Sequence, residues 1–131
     1  MNMDILCKIQ VDCPIYPSED QEKIRIAFTK ILLETETKIK GNKVSAIFEN
    51  TECLEKIRTV IESKKNQNAY RKRLIHNANR NSSWFLLNKQ AAYAGKVALC
   101  DEEDDSPLGA IKITIECSDL ERIVDWLTPF A

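Results

Sequence analysis

The feature that most restricts the fold is a strict alternation of apolar and polar residues. From Ile111 to Glu116 every odd position is isoleucine and every even position is polar. A second alternation runs from Ile5 to Asp12, with only Leu6 out of phase. A period of two is typical of a β-strand with one buried face. Such strands need a second layer to cover the apolar face, so the chain is predicted to fold in layers.

Apolar residues at helical spacing indicate helices between the strands. Four stretches place apolar residues three and four positions apart: 18–34, 51–61, 70–79 and 118–128. Ser18 with Gln21, and Ser118 with Glu121, have the spacing of capping boxes. Each serine is therefore predicted to cap its helix.

The order of elements is predicted to be strand, helix, two strands, two helices, three strands and helix. Gly41-Asn42 has the composition of a type II′ hairpin turn. The loop 101–109 is predicted to join two strands that pair antiparallel with each other. This order predicts a single α+β domain over residues 1–131, with a mostly antiparallel sheet and helices packed on one face.

Neither catalysis nor a bound metal is indicated. The five cysteines include no CxxC pair, so free and mostly buried thiols are predicted. His76 is the only histidine, and no nucleophile elbow or phosphate loop accompanies it. The acidic run Asp101–Asp105 lacks the spacing and the glycine of an EF-hand, so a solvated loop is the better interpretation. We therefore predict no enzyme activity and no cofactor.

The N-terminal residues and the hydropathy pattern give no targeting signal. Residues 1–6 have no basic region and no long apolar run, which a signal peptide requires. No stretch approaches the ~18 apolar residues of a membrane helix. We expect a cytoplasmic protein that makes no membrane contact.

The charge of the chain is unevenly distributed. The net charge is only −1, yet Ser63 to Cys100 contains no Asp or Glu and eight Lys or Arg residues. The local field of such a segment matters more for binding than the net charge does. The segment is predicted to form a basic surface.

A helix within this segment concentrates the basic residues on one side. At 100° per residue, five of them project within about 100° of one another: Lys65, Lys72, Arg73, His76 and Arg80. Tyr70, Leu74, Ile75 and Ala78 project on the other side. A basic stripe can follow a phosphate backbone, although a solvated helix face produces the same pattern.

The polar triplet Asn88-Lys89-Gln90 follows the apolar run 84–87 directly. Two interpretations remain open for it. The triplet can face a ligand and extend the basic surface. Alternatively, its side chains can tie down the end of a strand through hydrogen bonds to the backbone.

Four blocks of the sequence resemble a known family. Asn88–Val97, Ser106–Ile111 and Val124–Pro129 closely resemble the signature blocks of an archaeal family of small uncharacterised proteins. Pro17–Asp20 resembles the motif that precedes the first helix in that family. The family carries an RNA-binding label and was proposed to associate with the exosome.

The resemblance implies both a fold and a function. The implied fold is like that of the large-subunit ribosomal protein that binds the smallest ribosomal RNA, which is also α+β. The implied function is RNA binding without catalysis. The fold is the safer inference, because one fold supports many functions.

Two hypotheses follow. In the first, a non-catalytic protein contacts structured RNA through Lys65, Lys72, Arg73, His76 and Arg80, with Asn88, Lys89 and Gln90 beside them. In the second, the chain is a protein-interaction or assembly module that acts without direct RNA contact. Exosome-associated or ribosome-associated proteins, or a second copy in a homodimer, are the partners expected for it.

Overall fold

The computed structural model describes residues 7–102 and 108–129. Within these ranges the strands are β1 (Cys7–Pro14), β2 (Lys38–Lys40), β3 (Lys43–Phe48), β4 (Ser82–Asn88), β5 (Leu99–Cys100) and β6 (Ala110–Cys117). The helices are α1 (Gln21–Ile31), α2 (Glu55–Lys64), α3 (Gln67–His76), α4 (Lys89–Tyr93) and α5 (Leu120–Leu127). A 3₁₀ turn, Thr51–Leu54, leads into α2.

The strands form one sheet in the order β2-β3-β1-β6-β4-β5. Every neighbouring pair is antiparallel, as expected for this α+β fold. The prediction that the strands on either side of the loop 101–109 pair with each other is wrong. β6 is hydrogen-bonded to β1 on one side and to β4 on the other, so β5 pairs with the outer edge of β4.

The helices pack on one face of the sheet, as predicted. The main buried cluster joins alternate strand residues, such as Val11, Ile113 and Phe85, to helical residues such as Phe28 and Leu74. A separate small cluster on the other face contains Leu86, Cys100 and Ala110, with Trp84 packed against it. The sheet therefore has a covered face and an open face.

The helix caps lie close to the predicted residues but not on them. Ser18 lies within a turn closed by a hydrogen bond from the Glu19 N–H to the Tyr16 carbonyl. The residue with the extended backbone of a helix cap is therefore Asp20. Its carboxylate accepts a hydrogen bond from the Glu22 N–H. At α5, Asp119 caps the helix instead of Ser118.

The β2–β3 hairpin has the predicted turn. Lys40 pairs with Lys43, which leaves Gly41 and Asn42 as a two-residue loop. Gly41 has φ 61°, as the first central residue of a type II′ turn requires.

A disulfide joins two cysteines that the sequence analysis predicted to be free. Cys7 and Cys117 are register partners on β1 and β6, and their Cα atoms are 4.3 Å apart. Cys13 and Cys53 are free and buried, as predicted, and Cys100 is also buried. The pairing could not be found from spacing, because 110 residues separate the two cysteines.

We predict that Gly109→Ala destabilises the fold more than Gly41→Ala does. Both glycines have positive φ, so each alanine is expected to cost about 1 kcal/mol in backbone strain. A Cβ at position 109 would also lie 2.6 Å from Pro14 Cγ, whereas position 41 has no neighbour within 4 Å. This overlap should lower the free energy of unfolding of Gly109→Ala by a further 1–3 kcal/mol, roughly, as measured by urea denaturation. Equal losses for the two variants would show that the Pro14 contact is unimportant.

Candidate nucleic-acid interface

Helix α3 ends earlier than the helix that was predicted to carry the basic stripe. It begins at Gln67 and ends at His76, whereas the stripe assumed a helix reaching Asn79. Lys65 is the left-handed residue that ends α2, with φ 55°. Arg80 also has positive φ, 58°, in the turn between Asn79 and Ser82. The prediction that Lys65 and Arg80 lie on this helix is therefore wrong, although both are exposed beside its two ends.

Two residues of the predicted stripe lie together on the outer side of α3. Lys72 and His76 are exposed and one helical turn apart. Tyr70 and Leu74 anchor the inner side in the core, where the Tyr70 ring meets Phe85 edge-on at 5.8 Å. This anchoring directs the Lys72–His76 ridge towards solvent.

Two apolar residues are not where the helical projection placed them. Ala78 lies beyond the end of α3 and is exposed, and Ile75 is exposed on the helix itself. Ile75 was predicted on the buried side, but its side chain is 60% exposed. The reason is that Tyr70 and Leu74 define a narrow contact with β4, and Ile75 lies outside it.

The arginines beside the ridge are held by acidic residues from other elements. Arg73 donates to Asp101, at the end of β5, with a 2.7 Å distance between Nη2 and Oδ1. Arg71 donates to Asp125 of α5, also at 2.7 Å. Partly exposed pairs of this kind contribute little to stability, about 0–1 kcal/mol. They hold both guanidinium groups close to the ridge.

Lys72 and His76 line two surface clefts, one on each side of the ridge. The cleft towards β5 has a volume of about 490 Å³ and includes Arg73, Leu99 and Asp101. The cleft on the other side has about 460 Å³ and includes Asn68, Arg71 and Ile75. Both clefts are shallow, and both lie beside the exposed nitrogen donors of Lys72 and His76.

The triplet Asn88-Lys89-Gln90 spans the end of β4 and the start of α4. Asn88 caps α4, since its side chain accepts a hydrogen bond from the Ala91 N–H at 2.9 Å. Gln90 is exposed. Lys89 is only 1% exposed, which contradicts the prediction that it contacts RNA. For Asn88 and Lys89 the structure agrees with the alternative interpretation, in which they tie down the end of the strand.

Lys89 is the centre of a buried polar cluster. Its Nζ donates to the Pro14 carbonyl, to Glu19 Oε1 at 2.7 Å and to the Leu108 carbonyl at 3.3 Å. The Tyr93 hydroxyl donates a hydrogen bond to Glu19 Oε2 at 2.6 Å. A buried charge is tolerated when it is paired and fully hydrogen-bonded. This cluster meets that condition.

The cluster changes the acidity of its members. Burial disfavours ionised Glu19, but hydrogen bonds from Lys89, Tyr93 and the Tyr16 N–H outweigh it and lower the pKa. Burial and the Glu19 hydrogen bond raise the pKa of Tyr93. Burial raises the pKa of the nearby Cys13 thiol to about 12. Glu19 is therefore ionised, and Tyr93 and Cys13 are neutral, at neutral pH.

Sequence reasoning missed the role of Glu19 and Tyr93, although one signal for Lys89 was present. Ser83, Phe85 and Leu87 are buried at alternate positions of β4. Lys89 continues that alternation directly, so the strand period alone places it on the covered face. No comparable local pattern indicates that Glu19, seventy residues earlier in the chain, is its partner.

The comparisons with known proteins identify the family. Residues 8–117 match the model of a protein family described as RNA binding. The UPF0201 protein of Metallosphaera sedula is 33% identical over 127 residues, covering 95% of this chain and 89% of the relative. The chain belongs to the UPF0201 family. A second member, from Sulfurisphaera tokodaii, is 34% identical over 128 residues, covering 95% and 88%.

Solved UPF0201 structures share the fold. One has a TM-score of 0.79 at 21% identity, and the UPF0201 protein of Methanococcus jannaschii has 0.77 at 22%. Each match covers 95% of this chain and 94% of the other. At this level of identity the likeness shows the shared α+β fold. The likeness to a ribosomal protein stays a prediction.

Two further properties concern only residues 7–102 and 108–129. None of the helices there is long and apolar enough to cross a bilayer. No three His, Cys, Asp or Glu side chains there are grouped as metal ligands would be. Residues 103–105 of the acidic run, and Ser106-Pro107 of the predicted turn, lie outside the described residues.

We predict that Lys89→Met lowers the free energy of unfolding by about 3–5 kcal/mol, because it leaves the Glu19 carboxylate buried without its cation. Urea denaturation measures this loss. Lys96→Met is the matched control, since Lys96 is exposed in the same segment, and a change within about 0.5 kcal/mol is expected for it. A loss for Lys89→Met as small as that of the control would contradict the structural role of the cluster.

The Glu19 carboxylate should also make stability depend on pH. Its pKa is lowered from an ordinary value of 4.5. The stabilisation is therefore fully present above 4.5 and is lost as the pH falls through the lower, folded-state value. The difference in unfolding free energy between the wild type and Glu19→Gln should shrink as the solution is acidified below that range. A difference that stays constant would show that Glu19 does not titrate in this way.

Proposed function

We propose that this protein binds RNA, without altering it chemically, through the exposed cations on and around α3. The observation that carries this proposal is the Lys72–His76 ridge on a helix that has no acidic residue. The family to which the chain belongs, whose model is described as RNA binding, supports the same function.

The ridge and its flanks suit a phosphate backbone. α3 has ten residues and is about 15 Å long. Lys65 is exposed just before it and Arg80 just after it, so the cations extend beyond both ends of the helix. Each phosphate that they neutralise would release bound counterions and so favour binding.

Arg73 provides a second kind of contact in this proposal. Its guanidinium is paired with Asp101, whose own side chain is 74% exposed. A phosphate can accept two parallel hydrogen bonds from the same guanidinium. RNA entering the cleft beside β5 would therefore compete with Asp101 for Arg73.

The ridge favours recognition of backbone and shape over recognition of bases. Base readers stack nucleobases on exposed aromatic rings. The aromatic residue of α3, Tyr70, is buried, and so is its partner Phe85. We therefore propose that structured RNA is the ligand of this surface, with Gln90 as a further candidate contact on α4.

A second candidate function, protein docking, has its own supporting observation. Ile75 is 60% exposed between Arg71, Lys72 and His76, in the cleft on the far side of the ridge. An exposed aliphatic side chain beside an arginine and a lysine suits an acidic protein surface with an apolar centre. Association with exosome or ribosomal proteins, or a homodimer, belongs to this alternative.

We predict that Lys72→Gln/His76→Gln weakens binding to a fluorescein-labelled hairpin RNA and makes binding less dependent on salt. The lost Lys72 contact should reduce the slope of log affinity against log salt by roughly 0.7–0.9, whereas loss of the His76 hydrogen-bond donor should lower the affinity. Fluorescence anisotropy at several salt concentrations measures both quantities. Lys23→Gln/Lys96→Gln removes two charges from exposed positions elsewhere and should have little effect.

Two results would contradict the proposed function. One is the absence of RNA binding by the unmodified protein at low salt. The other is an equal loss in both double variants, which would indicate a non-specific charge effect. Retained RNA binding in Ile75→Ser, together with loss of partners that co-purify after nuclease treatment, would instead assign the apolar part of the cleft to a protein.

A further inference from the structure

The open face of the sheet carries its own set of basic residues. The register aligns Lys38 of β2 with Ser45, Asp12, Lys112 and Leu86 on successive strands. Because side chains alternate between the faces of a strand, residues in one such row share a face. Leu86 belongs to the small cluster opposite the helices, so this row lies on the open face.

The neighbouring rows add further lysines. Lys40 of β2 pairs with Lys43 of β3, two residues along from the first row and therefore on the same face. Lys38, Lys40 and Lys43 are exposed, and Lys112 is partly exposed. We call these four residues the open-face lysines.

Few carboxylates oppose them. At the strand positions of this face the acidic residues are Asp12 and Glu116. Asp12 accepts hydrogen bonds from Ser45 at 2.6 Å and from Gln10 at 3.1 Å. Glu116 lies at the other end of the sheet, in a cleft that also holds Lys8 and Glu49. The part of the face that holds the open-face lysines is therefore positively charged.

An aromatic ring lies on the same face. Trp84 is half-buried against the small cluster of Leu86, Cys100 and Ala110. The Lys112 ammonium lies 4.6 Å from the centroid of the Trp84 ring. The packing fixes the indole on the sheet, and the lysine places a cation beside it.

We propose that this open face binds a single strand of RNA, with phosphates on the open-face lysines and a base against Trp84. The proposal rests on the proposed function only for the nature of the ligand, because the surface is a different one from the α3 ridge. From β2 to β4 the face spans four strand spacings, roughly 19 Å. That length accommodates several nucleotides of an extended strand.

A single strand suits this face better than other occupants do. Double-stranded RNA keeps its bases stacked inside the helix, so it offers the indole no base to stack on. A two-fold interface centred on the open-face lysines would bring the lysines of two copies together, because such an interface pairs identical patches. Repulsion between these like charges opposes such a dimer.

The first test compares a fluorescein-labelled twelve-nucleotide oligouridine with a blunt RNA duplex of the same length. For Lys38→Gln/Lys40→Gln/Lys43→Gln we expect at least a tenfold loss of affinity for oligouridine at low salt. The salt slope should fall by about two, since each single-strand contact contributes about 0.7. Lys23→Gln/Lys96→Gln/Arg122→Gln removes the same charge from exposed positions on the helices and loops and is the matched control.

The second test monitors Trp84 directly. In a Trp126→Phe background Trp84 is the only tryptophan, and oligouridine should quench its fluorescence. Trp84→Leu should weaken oligouridine binding roughly five- to hundredfold, as expected for the loss of one stacked base. Trp84→Phe should retain most of the affinity. Near-wild-type circular dichroism and urea midpoints confirm that each variant is folded.

The outcomes separate this inference from the proposed function. If the open-face triple variant binds oligouridine as the control triple does and Trp84 is not quenched, the inference is wrong. In that case, weaker binding of hairpin RNA by Lys72→Gln/His76→Gln would still support the proposed function. If the open-face triple variant instead changes the mass measured by light scattering, while its RNA affinity is unchanged, the face is a protein interface and the inference is also overturned.

Discussion

The buried ion pair between Lys89 and Glu19 is the interaction on which the arrangement of this fold most depends. It connects the end of β1, the residues before α1, the start of α4 and the residues before β6 through a single ammonium group. Removing either partner would leave a charge without its counterion inside the protein, which is far more costly than losing a surface pair. The side chains of Lys89, Glu19 and Tyr93 must therefore be positioned together. The four chain segments that the Lys89 ammonium connects are positioned with them.

This cluster also explains what the resemblance of the sequence blocks signifies. Three of the blocks meet at this buried site: one contributes Glu19, the second Lys89 and Tyr93, and the third the Leu108 carbonyl. In these three blocks, therefore, the cluster residues serve the packing of the chain. Apart from Gln90, the residues that we propose for RNA binding lie outside these blocks.

The sequence was most informative where one period governed a whole segment. The alternation from Ile111 to Glu116 correctly predicted β6, and the spacing of apolar residues found the helices that cover the sheet. The basic stripe failed at its ends, because Lys65 and Arg80 adopt the left-handed backbone conformation that stops a helix, which is uncommon for residues other than glycine. The polar residues Asn79, Asn81 and Ser82 around Arg80 are turn formers, and they were the one local signal of that stop. The partner of β5 and the Cys7–Cys117 pair were also beyond local patterns, since both depend on contacts between distant parts of the chain.

The short β2 strand has a consequence that does not require any ligand. It forms an outer edge of the sheet, where unpaired backbone groups offer a template for a strand from another molecule. Only three residues long, and with lysine at positions 38 and 40, it is a poor template for such pairing. The same lysines that give the open face its charge are therefore expected to oppose edge-to-edge pairing between molecules, with or without bound RNA.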